Sequence, residues 1–181
     1  SGARNDATIS RRLSIALCAV GTCRREGFFL YCCSADADTL TGGVITIASG
    51  DTIEITSSAA AQRTLSADSA SRVFICAGTL TLSWVTVADG NCASDAGNEC
   101  GAGCAVVDNG GHLVLNYATF SNCYSETTGG AMHVEGRVTA TSSTFSNNRA
   151  DCASGAGGGV FMIRGWDGDV EGVVSTTLCS F

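Results

Sequence analysis

The chain has no proline and no lysine: all ten of its cations are arginine, set against seventeen carboxylates for a formal charge of −7. Nucleic acids and anionic membrane surfaces demand clustered cations, so neither is the natural partner. No apolar stretch approaches the roughly 20 residues that a membrane-spanning helix needs. There are only two histidines, and Cys32-Cys33 and Cys100-x-x-x-Cys104 are not the matched pairs that a structural zinc site requires. No metal or other cofactor is therefore expected. No Asn-x-Ser/Thr acceptor occurs, which excludes ordinary N-glycosylation, while the many Ser and Thr leave O-glycosylation open. Gly155-Ala-Gly-Gly-Gly159 leads into a strand pattern rather than a helix, so it is not a phosphate loop.

Cysteine and glycine are plentiful, with 11 and 23 in 181 residues, a length that suits one domain with one core. The cysteine load points to an oxidising, extracellular or cell-surface setting. The odd number leaves at least one thiol free or bonded to another chain. Cys92, Cys100 and Cys104 share one loop region, and Cys123 and Cys152 fall in the equivalent loops of the next two units. Bridges within and between these loops are expected, with a second group uniting Cys18, Cys23, Cys32 and Cys33; the pairings stay open.

The glycines mark a repeat. Gly111-His-Leu-Val-Leu-Asn-Tyr-Ala-Thr-Phe-Ser-Asn122 is matched by Gly136-Arg-Val-Thr-Ala-Thr-Ser-Ser-Thr-Phe-Ser-Asn147. Counting from Gly78, Gly111, Gly136 and Gly168, the second position reads Leu80, Leu113, Val138, Val170. The fourth reads Leu82, Leu115, Ala140, Gly172, the ninth Val87, Phe120, Phe145, Thr177, and the eleventh Asp89, Asn122, Asn147, Cys179. Length varies between the Asn and the next glycine pair, and after the glycine-led strand of the last unit. That is where loops hang off a regular coil. From Val44 onward, four- to five-residue alternating runs are bounded by Gly, Ser, Asp or Ala, as short strands are.

These features predict an all-β fold: a right-handed, single-stranded parallel β-helix of about five rungs over 40–181, with like side chains stacked along its axis. Residues 1–39 stand apart as a cysteine-rich N-terminal cap. There Ile9, Leu13, Ala16, Leu17 and Val20 recur at helical spacing, which predicts a short amphipathic helix from about Thr8 to Ala19. The same run is similar to a signal-peptide core, but it is short and lacks a convincing cleavage site.

Gly129-Gly-Ala-Met132 followed by Phe145-Ser-Asn-Asn148 resembles the GGA-[I/L/V] and FxxN repeat of chlamydial-type polymorphic outer-membrane proteins. Ile45–Ile55, Arg63-Thr-Leu65 and Arg72-Val-Phe74 look like opening rungs of the wider group of right-handed, pectin-lyase-like β-helix proteins. The resemblance covers about residues 40–178 and implies fold, not function, because such repeats serve adhesins, surface proteins and enzymes alike. The cysteine-rich loops depart from a typical bacterial passenger and favour a eukaryotic secreted or surface protein.

Three candidate sites follow. Asp108 and Glu135 would lie on successive rungs with His133 nearby, an arrangement that can serve as acid and nucleophile in glycoside cleavage; both carboxylates also fit as plain turn residues. Outward columns Thr86, Thr119, Thr144, Thr176 and Trp84, Tyr117, Ser142, Val174 present hydroxyls and rings suited to ice or sugar rings, although Thr is also simply a good strand former. Phe74, Val106, His133 and Phe161 form an apolar stripe for lateral contact with a partner. The last rung shows no cover: either the sequence is a fragment of a longer stack or the exposed end meets another copy, which makes Cys179 and Phe181 interface candidates. The resulting expectation is a non-catalytic extracellular structural or adhesive subunit that self-associates head to tail into a fibre. O-linked glycans on Ser and Thr, and contact with carbohydrate, go with this expectation. A polysaccharide lyase or hydrolase, and an ice-binding protein, are the alternatives.

Overall fold

The computed structural model describes residues 44–60, 62–92, 102–151, 161–163, 165–166, 170–171 and 173–181, together with the backbone strands at 12–18, 24–26, 29–33 and 38–39. The described residues are all-β, without a helix. Three sheets carry almost all the strands. Sheet I runs Arg24–Glu26, Phe29–Cys33, Arg12–Cys18, Thr52–Thr56, Thr79–Ser83, His112–Asn116, Arg137–Thr141, Val173–Thr177. Sheet II runs Asp38–Thr39, Arg63–Ser66, Val85–Ala88, Thr119–Ser121, Thr144–Ser146, and sheet III Ile45–Ile47, Phe74–Cys76, Ala105–Val107, Met132–Val134, Phe161–Ile163. Their pairings are parallel, apart from Arg24–Glu26 against Phe29–Cys33. From Ile45 onward the chain visits sheets III, I and II in that order; four passes add one strand to each sheet, and the last adds strands to III and I and reaches sheet II only through the bridge of Ser180 to Thr144.

Alternation decides which side chains face inward. In Thr79–Ser83 and His112–Asn116 the second and fourth residues are buried, and Leu80, Leu82, Leu113 and Leu115 are at most 1% exposed. Parallel register stacks them: Ile53, Leu80, Leu113, Val138 and Val174 align, as do Ile55, Leu82, Leu115 and Ala140. Each fully buried Leu or Ile contributes about 1.5–3 kcal/mol of transfer free energy, so two such columns outweigh any single loop contact. In sheet II, Leu65, Val87, Phe120 and Phe145 align and are buried. The marker glycines sit where coils touch. A Cβ at Gly111 would overlap the Cys76 carbonyl oxygen, and one at Gly136 would overlap the carbonyls of Asp108 and Gly111. No larger residue fits there.

The structure corrects two expectations. Arg12–Cys18, expected as the middle of a helix, is a strand whose Leu13 and Ile15 are in register with Ile53 and Ile55. Leu13, Ile15 and Leu17 also alternate, and the strand edge of sheet I supplies pairing partners that a surface helix would not have. The last unit is displaced by four residues: Val174, not Val170, aligns with Val138. Gly165–Trp166 and Val170–Glu171 instead pair antiparallel, so counting from Gly168 does not give the register of the last sheet I strand.

That displacement moves the last unit's columns. Thr176 aligns with Ala140 rather than Thr144, whose bridge partner is Ser180. Val174 leaves the ring column, and Leu178 occupies it. Phe181 falls in the phenylalanine column, stacked on Phe145 with centroids 5.4 Å apart. Cys179 lies two residues before Phe181, packed partly buried against the core, its thiol donating to the Ala140 and Thr177 carbonyls at 3.5 and 3.4 Å.

Candidate functional sites

Asp108 and Glu135 do stand on adjacent coils, since each follows one of the aligned residues Val107 and Val134. Their main chains are fixed by hydrogen bonds from Asp108 N–H to the Cys76 carbonyl at 2.9 Å and from Glu135 N–H to the Val107 carbonyl at 2.8 Å. His133 Nε2 lies 3.3 Å from Glu135 Oε1. Burial, and after it the Glu135 carboxylate, push the Asp108 carboxyl above its ordinary value, against the opposing pull of His133 and Arg72. Arg72, which the sequence marks only as part of an opening rung and not as a site residue, is buried, and its guanidinium also donates to Cys92 Sγ at 3.3 Å. Asp108 has a turn role as well, because Gly111 N–H donates to its carbonyl at 2.8 Å.

The expected apolar stripe divides between two faces. Phe74 is fully buried, aligned with Ala105, Met132 and Phe161 in an inward column. Phe161 is partly buried and packs edge-on against Phe145, with centroids 4.9 Å apart. Val106 and His133 instead align with Ile75 on the outer face. A one-residue offset between strands moves a side chain through the sheet, and the stripe had mixed two offsets.

Cys104 and Cys123 form a disulfide with Cα atoms 5.4 Å apart. It joins the start of one coil's circuit (before Ala105–Val107) to its finish (after Thr119–Ser121). Cys92 is buried. Cys18 and Cys33 are register partners in sheet I, and Leu17 pairs with Cys32; Cys23, Cys100 and Cys152 lie outside the described residues. Cys76, which was in neither expected group, is a buried free thiol, and burial pushes its pKa up to about 11. Cys179 is also free.

Outward Thr86, Thr119 and Thr144 align in sheet II. The residues just before and just after these strands share an unusual backbone. Trp84, Tyr117, Ser142 and Leu178 have φ of 59°, 53°, 49° and 54°, and Asp89, Asn122 and Asn147 have φ of 53°, 55° and 56°. The left-handed bend lets each N–H continue the ladder: Trp84 N–H donates to the Asn116 carbonyl, Tyr117 to Thr141 and Ser142 to Thr177, at 2.8–3.0 Å. Left-handed backbone costs an L-residue roughly 1–2 kcal/mol, and only Gly, Asn and Asp enter it routinely. At the later corner the chain uses those residues. Asn147 Nδ2 donates to Asn122 Oδ1 at 3.5 Å, Asn122 Nδ2 to Asp89 Oδ1 at 3.3 Å, and Ser66 Oγ to Asp89 Oδ2 at 2.9 Å. At the earlier corner the Trp84 and Tyr117 rings stack with centroids 4.0 Å apart and planes 2° from parallel. Ring stacking is worth roughly 0.5–1.5 kcal/mol. It does not offset two strained residues.

No group of three His, Cys, Asp or Glu positioned to hold a metal occurs among the described residues, and none of their helices could cross a membrane, there being none. No known protein family, curated protein or solved structure matches the chain.

Proposed function

We propose that the chain is a non-catalytic, extracellular structural or adhesive module: a right-handed parallel β-helix of about five rungs that stacks end to end into a fibre. The reading as a coil rests on the fixed III–I–II order of the strands and on their column-by-column register. Its hand follows from the strong right-handed bias of parallel crossovers. The likeness to pectin-lyase-like and polymorphic outer-membrane repeats enters at this level only. The disulfide and the cysteine content support an oxidising compartment. Abundant outward Ser and Thr are the acceptors that O-linked glycans would use.

The observation that carries stacking is the composition of the last described coil. Of the five exposed large apolar residues among the described residues, Ile163, Val173, Leu178 and Phe181 all belong to it, with Leu178 at 84% and Phe181 at 67%. Its strands Phe161–Ile163 and Val173–Thr177 are the edges of sheets III and I. Open edges and apolar columns together are a template for another coil of the same register, whether from further chain or from a second copy. A heterologous contact of this kind does not close, so it yields fibres. Electron microscopy of the purified protein across a concentration series tests this. Filaments with an axial repeat that Phe181→Asp abolishes are expected, and monodisperse monomers at high concentration would end the proposal.

The grouping of Asp108, Glu135 and His133 favours a second reading, a polysaccharide-cleaving enzyme. Coil spacing of about 4.8 Å is near the roughly 5 Å carboxylate separation of retaining glycosidases. Release of reducing ends from acidic and neutral polysaccharides, lost in Glu135→Gln, would establish it over the structural reading.

A further inference from the structure

We infer that the corner at Tyr117 and Ser142 is a binding slot for one neutral sugar ring of a polysaccharide. Tyr117 is 45% exposed, yet one of its ring faces is covered by Trp84, which stacks on it at 4.0 Å. The rings lie on successive coils, so the other face of Tyr117 is directed at the next coil along. The same column there holds Ser142, whose side chain is too short to reach the ring, and Leu178 one coil further on. Tyr117 and Leu178 therefore bracket a gap of two strand spacings, roughly 9–10 Å. That is room for a single pyranose ring at van der Waals contact with both walls, about 3.5–4.0 Å on each side.

The chemistry around the gap is polar and uncharged. On the side that Trp84 covers, Gln62 donates to the Tyr117 carbonyl at 3.2 Å and to Thr119 Oγ1 at 3.4 Å, fixing the edge of the slot from behind. Ser142, Thr119 and the exposed Thr144 supply hydroxyls within the same two coils. An aromatic face that accepts the C–H side of a sugar, ringed by hydroxyl and amide groups, is complementary to a neutral glycan. With an overall charge of −7 and no cation among these residues, an acidic polymer is disfavoured. The strained backbone gives an independent argument. Strain that local contacts do not offset persists where the side chain is placed for function, and Trp84 and Tyr117 are bulky residues at φ of 59° and 53°. The inference rests on the stacked-coil reading for the direction of the open ring face and the width of the gap, and not on end-to-end assembly, so failure to form filaments and failure to bind a glycan are distinguishable outcomes.

The test is calorimetric titration of the full chain with cellohexaose, laminarihexaose and xylohexaose, and with oligogalacturonate as the charged control. At least one neutral oligomer should bind. Tyr117→Ala should weaken it by about tenfold or more, the equivalent of about 1.4 kcal/mol, and Tyr117→Phe should retain binding within about threefold. Ser142→Leu should block the gap and cost about tenfold while the near-ultraviolet dichroism of the Trp84–Tyr117 pair persists, which shows that the corner is still folded. The inference is overturned by failure of all three neutral oligomers to bind, by preference for the galacturonate, or by binding that Tyr117→Ala and Ser142→Leu both leave intact.

Discussion

The corner before each sheet II strand and the corner after it make the same demand on the backbone and answer it with different residues. Both columns sit at φ near 50–60°. After the strand, Asp89, Asn122 and Asn147 tolerate that conformation and link their side chains along the axis. Before it, Trp84, Tyr117, Ser142 and Leu178 are strained; the N–H groups of Trp84, Tyr117 and Ser142 continue the main-chain ladder, but among the described residues the side chains of this column form no hydrogen-bonded one. One corner is therefore built for the coil itself, with its side chains spent on its own neighbours. The other spends strained backbone on side chains with no such neighbours, which is why the proposed ligand is placed there.

The largest expected effect that sharpens this contrast comes from the disulfide. Cys123 directly follows Asn122, and its bridge to Cys104 closes a segment with a sequence separation of 19. Loop-closure entropy for such a segment is worth about 3 kcal/mol, so Cys104→Ala with Cys123→Ala should lower stability by about that amount in urea unfolding. Hydrogen exchange should then quicken more at the Asn122 amide than at the Tyr117 amide. Equal loss of protection at both corners would erase the distinction between them.

Asn122→Ala should cost about 1–2 kcal/mol, because it removes two long, exposed hydrogen bonds and forces alanine into left-handed backbone. Asn122→Gly keeps the conformation open and should cost about half as much; if the two variants were equally destabilised, strain would not matter at this corner. At the other corner the sign should reverse. Ser142→Asn relieves strain without disturbing the rings and should stabilise by about 0.5–1 kcal/mol. In Tyr117→Asn the same relief is set against lost stacking, so the net change should lie within about 0.5 kcal/mol of zero. A clear loss of stability in Ser142→Asn would mean that the early corner is not strained.

The inward columns were readable because burial repeats the same residue types at the same positions: Leu80, Leu113 and Val138, and Phe120 with Phe145. The ladder at Asp89, Asn122 and Asn147 is not buried and was readable as a column for a different reason: left-handed backbone at that corner selects Asn and Asp. Register was harder. Asp167-Gly168 imitates the marker glycine, and only the pairing of Arg137 with Val173 shows that the final unit starts later. Phe74 and Val106 appeared to share a face because alternation fixes a face only once the offset between strands is known. Leu13, Ala16 and Leu17 fit a helical period while Leu13, Ile15 and Leu17 fit a strand, and tertiary pairing with Ile53 and Ile55 decides between them. The left-handed backbone at Trp84 and Tyr117 had no sequence signal at all, since neither residue advertises a positive φ. It became visible only beside the asparagine corner.

The smallest expected effect concerns the head of the asparagine ladder. Donors converge on Asp89 from both sides, Asn122 Nδ2 on Oδ1 and Ser66 Oγ on Oδ2. An acceptor-only carboxylate can receive both, and an amide cannot without reversing one bond. In Asp89→Asn the amide oxygen can keep the Asn122 bond while its NH2 donates to Ser66 Oγ, because a hydroxyl rotates to accept. Ser66 Oγ already accepts from Asp68 N–H at 3.1 Å, but a second lone pair remains. The substitution should therefore change stability by less than about 0.5 kcal/mol. A double-mutant cycle separates geometry from charge: Ser66→Ala should cost more beside Asp89 than beside the asparagine, because a bond to a charged acceptor is the stronger one. If instead Asp89→Asn alone cost more than about 1 kcal/mol, the negative charge rather than the convergence of donors would anchor the ladder, and the later corner would owe its order to electrostatics rather than to its own backbone fit.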